Sequence, residues 1–99
     1  MSKTYYSDYV KHALRFYTRN LDAKSFRTDI DKDNWHSCHN VVKTYSDMEQ
    51  TIIFSVYSGY DTIGDEVYNA SKEYNIRQNI IWDLMKEIEH KIAKKRKLI

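Results

Sequence analysis

The sequence predicts an all-α protein, a small bundle of about five helices that ends in a helix-turn-helix. Three observations lead there. Proline is absent and glycine occurs only at Gly59 and Gly64, so long helices meet few breakers. Apolar residues recur at spacings of three and four along successive stretches. Residues that cap helix starts stand in front of several of those stretches. A chain of 99 residues holds one domain at most, 1–99, with a core of modest size.

The first helix is predicted over about 7–20, with Val10, Ala13, Leu14 and Tyr17 on one face and Ser7 as N-cap. Residues 21–30 are irregular, with Leu21, Phe26 and Ile30 as the apolar anchors. Asp31 is expected to cap a second helix over about 32–45, whose face is Trp35, Cys38, Val42 and Tyr45, with Val41 beside it. The third, about 47–57, opens with a capping box. In it Ser46 and Glu49 each satisfy a backbone N–H of the first turn. Its stripe is Met48, Ile52, Ile53 and Val56. Segment 51–57 is rich in β-branched and aromatic residues, and a strand is the alternative there; the capping box favours helix. Both glycines fall in 58–65, the clearest loop of the chain. A fourth helix follows over about 63–73, capped by Asp61 or Thr62, with Ile63, Val67, Ala70 and Tyr74 on its apolar face. The fifth runs over about 77–96 on Ile81, Leu84, Ile88 and Ile92.

Composition narrows the function classes. Hydrophobic residues make up 41% and charged residues 30%, which suits a soluble globular protein. No apolar run reaches the length of a membrane span, and the N-terminus lacks the apolar core of a secretory signal. A single cysteine, Cys38, makes no internal disulfide, and a cytoplasmic setting is expected. Net charge is only +2, but it is unevenly spread: residues 60–89 carry three basic and seven acidic side chains, residues 90–99 five basic and none acidic. A basic end can follow a phosphate backbone. Cations at a helix C-terminus equally suit the helix dipole.

The last two helices are joined through Tyr74-Asn75-Ile76. A helix-turn-helix needs a small residue where its helices cross, a turn residue that tolerates positive φ, and apolar residues that lock the pair. Ser71 supplies the first, and Asn75 the second, asparagine being the best substitute for glycine in the left-handed conformation. Ala70, Tyr74, Ile76, Ile81 and Leu84 supply the third. On these residues, 46–97 resembles the fourth region of bacterial sigma factors. It is similar too to phage late-gene activators of the ArpU and RinA type. The parallel is a capped helix, a short loop, the helix pair around Asn75 and the basic stretch Lys91–Lys97. It covers about half the chain, and it departs from the pattern where Asn75 replaces the turn glycine and where Asp83, Glu87 and Glu89 stand on the second helix of the pair.

The resemblance implies a non-catalytic DNA-binding transcriptional regulator of phage or mobile-element type, acting on double-stranded DNA, with RNA polymerase as a further partner. Arg77, Gln78 and Asn79 would then open the recognition helix, since Arg pairs with guanine and Gln or Asn with adenine in the major groove. Trp82 and Lys86 follow on the same helix, and Lys94, Lys95, Arg96 and Lys97 would hold phosphates. The bland alternative for 77–79 is a solvated first turn. The other functional reading is an adaptor that binds another protein through a tyrosine-rich helical surface. The chain has nine tyrosines, a residue frequent at interfaces; Tyr5 and Tyr6 are expected on a contact surface or tail, and Tyr9 and Tyr17 at a contact or the core edge.

Other chemistry finds little support. His36 and His39 share a helix face but lack a second ligand pair at zinc spacing. Asp29-Ile30-Asp31-Lys32-Asp33 starts like a calcium loop, yet position six is Asn34 and position twelve Asn40, where glycine and glutamate are needed. No nucleophile–base motif, phosphate loop or His-Glu-x-x-His is present. No metal, cofactor or enzymatic activity is therefore predicted.

Overall fold

The computed structural model describes residues 6–99 and contains five helices: α1 (Ser7–Arg19), α2 (Asp29–Val42), α3 (Asp47–Ser58), α4 (Ile63–Tyr74) and α5 (Gln78–Lys95). The fold is an all-helical bundle, and 51–57 is helix. Apolar stripes bring α1 against α2, α3 and α5, while α5 also lies against α2, α3 and α4. The centre is formed by Val10 and Leu14 of α1, Cys38 and Val42 of α2, Ile53, Val56 and Tyr57 of α3, Val67 of α4, and Ile81, Ile88 and Ile92 of α5, all buried.

Helix starts follow the capping chemistry with two corrections. Ser46 accepts from the Glu49 N–H while the Glu49 carboxylate takes the Ser46 N–H, completing the expected box. Thr62, not Asp61, caps α4 by accepting from the Asp65 N–H. Helix α2 starts three residues earlier than expected. Thr28 is extended and its hydroxyl accepts from the Asp31 N–H, so Asp31 sits in the first turn, where its charge favours the helix dipole. At the other end α2 stops at Val42, and Tyr45 reaches the core through i→i−3 turns, with its N–H on the Val42 carbonyl. Ser7 is not a cap: it is the first helical residue of α1 and is buried.

Five apolar expectations also change. Leu21 and Ile30 are exposed and anchor nothing, and Met48 lies outside the core at 55% exposure. Leu84 and Trp35 are only partly buried at its margin. In α5 the inward face is turned toward Met85, Glu89 and Ala93, because the helix is covered by α1 and α2 as well as by α4. Phe26 and Trp35 meet at 5.9 Å between ring centroids, and the Trp35 indole N–H donates to the Asn20 carbonyl, fastening the irregular 20–28 segment to α2.

Two arginines of α1 fasten the loop before α4. Arg15 donates to the carbonyls of Gly59 and Asp61, and Arg19 to those of Ser58 and Gly59. They neutralise the carbonyl-rich end of α3. A Cβ on Gly59 would lie 1.1 Å from the Glu66 carboxylate, so a side chain there would displace Glu66. The loop leading into α4 is thereby held to α1, while α4 itself lies against α3 and α5.

Candidate nucleic-acid interface

Helix α4 ends on Asn75 at φ 54°, ψ 50°, the left-handed conformation that its residue type was expected to allow. The Ile76 N–H reaches back to the Ser71 carbonyl at 3.1 Å, and the Ser71 hydroxyl donates to the Ile76 carbonyl. This 6→1 closure satisfies the last carbonyls of α4 and reverses the chain within three residues. Half-buried Tyr74 and Ile76 pack against the core on either side of the turn. Arg77 then takes an extended conformation, and its carbonyl accepts the first hydrogen bonds of α5.

The side chains of Arg77, Gln78 and Asn79 are exposed and engage no partner among the described residues. Asn79 and Lys86 are seven residues apart, which at 100° per residue puts them within about 20° of one direction and about 10 Å apart along the axis. Trp82, at 40% exposure, stands outside the core on the first turns of the same helix. The resulting surface offers donors, acceptors and an aromatic face.

The three acidic residues of α5 divide. Glu89 is buried, accepting from Ser7 Oγ at 3.1 Å, Lys11 Nζ at 3.1 Å and Tyr57 OH at 2.6 Å. Glu87 accepts from Tyr45 OH at 2.8 Å and Lys91 Nζ at 3.2 Å. These two bonds, Tyr45 first, hold its carboxyl below the usual range. Of the three, only Asp83 is exposed without a partner among the described residues, within about 40° of Asn79.

The basic end of α5 also divides. Lys94 and Lys95 are exposed on its last turn. Lys97 is exposed at φ 59° and closes the helix, with the Leu98 N–H returning to the Ala93 carbonyl at 2.8 Å. Arg96 is drawn back to α2: its Nε donates to Asn34 Oδ1 at 2.7 Å, and its guanidinium lies 4.0 Å from the Asp33 carboxylate. Arg96 therefore ties α5 to α2, leaving Lys94, Lys95 and Lys97 as the free cations of this end. Sequence spacing carried no sign of that difference, because the Asn34–Arg96 pair spans 62 positions.

The tyrosines are dispersed. Tyr17, Tyr45 and Tyr57 are in the core, Tyr6 is half-buried beside His90, and Tyr5 lies outside the described residues. The exposed ones sit on separate elements: Tyr9 on α1, Tyr60 in the loop under Arg19, and Tyr68 on α4 under Lys72. Among the histidines weighed as ligands, His39 stacks on Trp35 at 5.0 Å and pairs with Tyr17 OH at 3.1 Å. Between them, burial pushes the Cys38 thiol up to about 12. Among the described residues no three metal-binding side chains cluster, and no helix is long and apolar enough to cross a membrane.

No protein-family model matches the chain, and no curated protein or solved structure is significantly similar to it.

Proposed function

We propose that this protein binds double-stranded DNA as a non-catalytic regulator of phage or mobile-element type, with α4 and α5 acting as the helix-turn-helix. The observation that carries the reading is the first turn of α5. Arg77, Gln78 and Asn79 are exposed without partners among the described residues, directly after a left-handed turn at Asn75. Side chains of this type read base edges when a helix N-terminus enters the major groove. Two of the three carboxylates that would oppose a duplex are engaged elsewhere, Glu89 in the core and Glu87 on Tyr45 and Lys91. Lys86 continues the reading face, and Lys94, Lys95 and Lys97 are available to phosphates.

Fluorescence anisotropy against mixed duplexes, from about 50 to 200 mM salt, tests this, because backbone contacts release counterions and make affinity fall with salt. Replacing Gln78 or Asn79 by alanine should relax sequence preference by about 1–3 kcal/mol per base contact. Neutralising Lys94, Lys95 and Lys97 together should weaken all duplexes alike and flatten the salt dependence. No detectable binding at the lowest salt, or affinity indifferent to salt, would refute DNA binding.

A further inference from the structure

On another flank of α5 an open trough of about 340 Å³ runs between this helix and the start of α3. Its floor is Ile52 and Ile81, both buried, and its edges are Met48 at 55% and Ile80 at 54% exposure. Met48 and Ile80 border one apolar trough rather than standing singly on the surface. The walls have a period. Met48 and Ile52 are one turn apart on α3, and Ile80 and Leu84 are one turn apart on α5. Two walls with ridges at one-turn spacing accept the side-chain rows of a third helix.

Charge says which helix. Among the described residues the ionisable ones lining the trough are Glu49, Asp83 and Glu87, all acidic; Glu87 already holds Lys91 at 3.2 Å, so Glu49 and Asp83 carry the unbalanced charge of the rim. Glu49 and Asp83 disfavour a phosphate backbone in the trough itself, although Asp83 also borders the first turns of α5. A second copy seated through the same trough would set the three carboxylates against their own images, as a two-fold interface requires. An apolar helix with Lys or Arg along its flanks meets both the floor and the rim.

We propose that the α3–α5 trough docks a basic amphipathic helix of another protein, with apolar residues of that helix resting on Ile52, Ile80 and Leu84 and its cations facing Glu49 and Asp83. The trough shares Asp83 with the α5 face proposed for DNA, and the peptide test, run without DNA, reads the trough alone.

The test uses the full chain and two labelled helical peptides of about 16 residues, long enough for four turns. Both carry leucines on one face; one has lysines on its flanks and the other glutamates. The protein has a net charge of +2, so unspecific attraction favours the acidic peptide, opposite to the proposal. The basic peptide should bind about tenfold or more tightly than the acidic one, and Ile80→Asp should lower its affinity at least about tenfold, as loss of a central contact does. Asp83→Lys, at an exposed position where folding is undisturbed, should narrow the gap between the peptides. Methyl resonances of Met48, Ile80 and Leu84 should shift on titration of the basic peptide. Equal binding of the two peptides, no binding of either, or affinity unchanged in both variants would overturn the proposal. So would a dimer in sedimentation that Ile80→Asp dissolves, since the trough would then belong to a second copy.

Discussion

Glu89 lies on the helix proposed to face DNA, yet its carboxylate points into the bundle and joins three helices: Ser7 and Lys11 of α1, Tyr57 of α3, and α5 itself. A buried carboxylate is tolerated only when its lone pairs are occupied, and here one oxygen takes Ser7 and Lys11 while the other takes Tyr57. Glu89→Ala removes the acceptor from all three donors and should destabilise the fold by about 3 kcal/mol or more, as breaking buried charged pairs does. Tyr57→Phe, which removes one charge-assisted bond, should cost about 1.5–3 kcal/mol. Because the residues share one network, the double variant should lose less than the two single losses combined. Urea titration of the four proteins measures this. A Glu89→Ala loss within about 0.5 kcal/mol, the range of surface sites, would place that side chain outside the core. Helical periodicity does not show such a residue. A glutamate at the edge of an apolar stripe looks the same whether it faces water or a tyrosine hydroxyl, and its partners stand 32 and more positions away.

Among the elements, the α4–α5 turn depends on one conformation. Asn75 at φ 54° sits where a Cβ crowds the following carbonyl, at a cost of about 1–2 kcal/mol for ordinary residues, which asparagine offsets in part by local hydrogen bonding. Asn75→Ala should therefore lower stability by about 1 kcal/mol, whereas Asn75→Gly should stay within a few tenths of the native protein or exceed it. Equal losses in the two variants, read from chemical denaturation, would mean that the left-handed turn is not what ends α4. Elements of this kind were legible in the sequence because their determinants are local. The Ser46–Glu49 box, the Asn75 turn and the stripes of α1 and α4 involve residues within a few positions of one another. What was not legible depends on how far neighbouring helices reach. Met48 continues the α3 stripe by spacing, but it lies at the open end of that stripe, where only the trough to α5 adjoins it. At the candidate interface, the exposed 77–79 turn was readable for the same local reason. The removal of Arg96 by Asn34 and Asp33, and of Glu87 by Tyr45, was not, because each needs contacts between distant segments.

The whole molecule encloses an unusual set of weak acids. Cys38 and Tyr57 are fully buried, and Tyr17 and Tyr45 nearly so. Burial raises all four: Cys38 from 9.0 to about 12, Tyr45 from 10.0 to about 12 with help from its bond to Glu87, Tyr17 upward, and Tyr57 well above 10.0 with the Glu89 carboxylate beside it. An unfolded chain releases these protons near the ordinary values, while the folded chain still holds them. Stability is therefore complete below the unfolded values and declines as pH rises toward the folded ones. The decline should begin at about pH 9 with Cys38 and steepen above about pH 10 as the tyrosines join, each fully buried group removing about 1.4 kcal/mol per pH unit. Against a total of about 5–15 kcal/mol for a domain, this predicts alkaline unfolding before the folded-state values are reached. The first stage can be isolated. Cys38→Ala leaves a cavity and should lower stability at neutral pH, but it should lessen the slope between about pH 9 and 10 by about half, since the tyrosines have begun to titrate beside the thiol in the unfolded chain there. Urea midpoints under reducing conditions, taken in half-unit steps of pH, give both slopes. If the variant and the native protein decline in parallel over that interval, Cys38 is not the group that opens the alkaline limb, and the core around it is wetter than its packing against Tyr17 and Tyr57 implies.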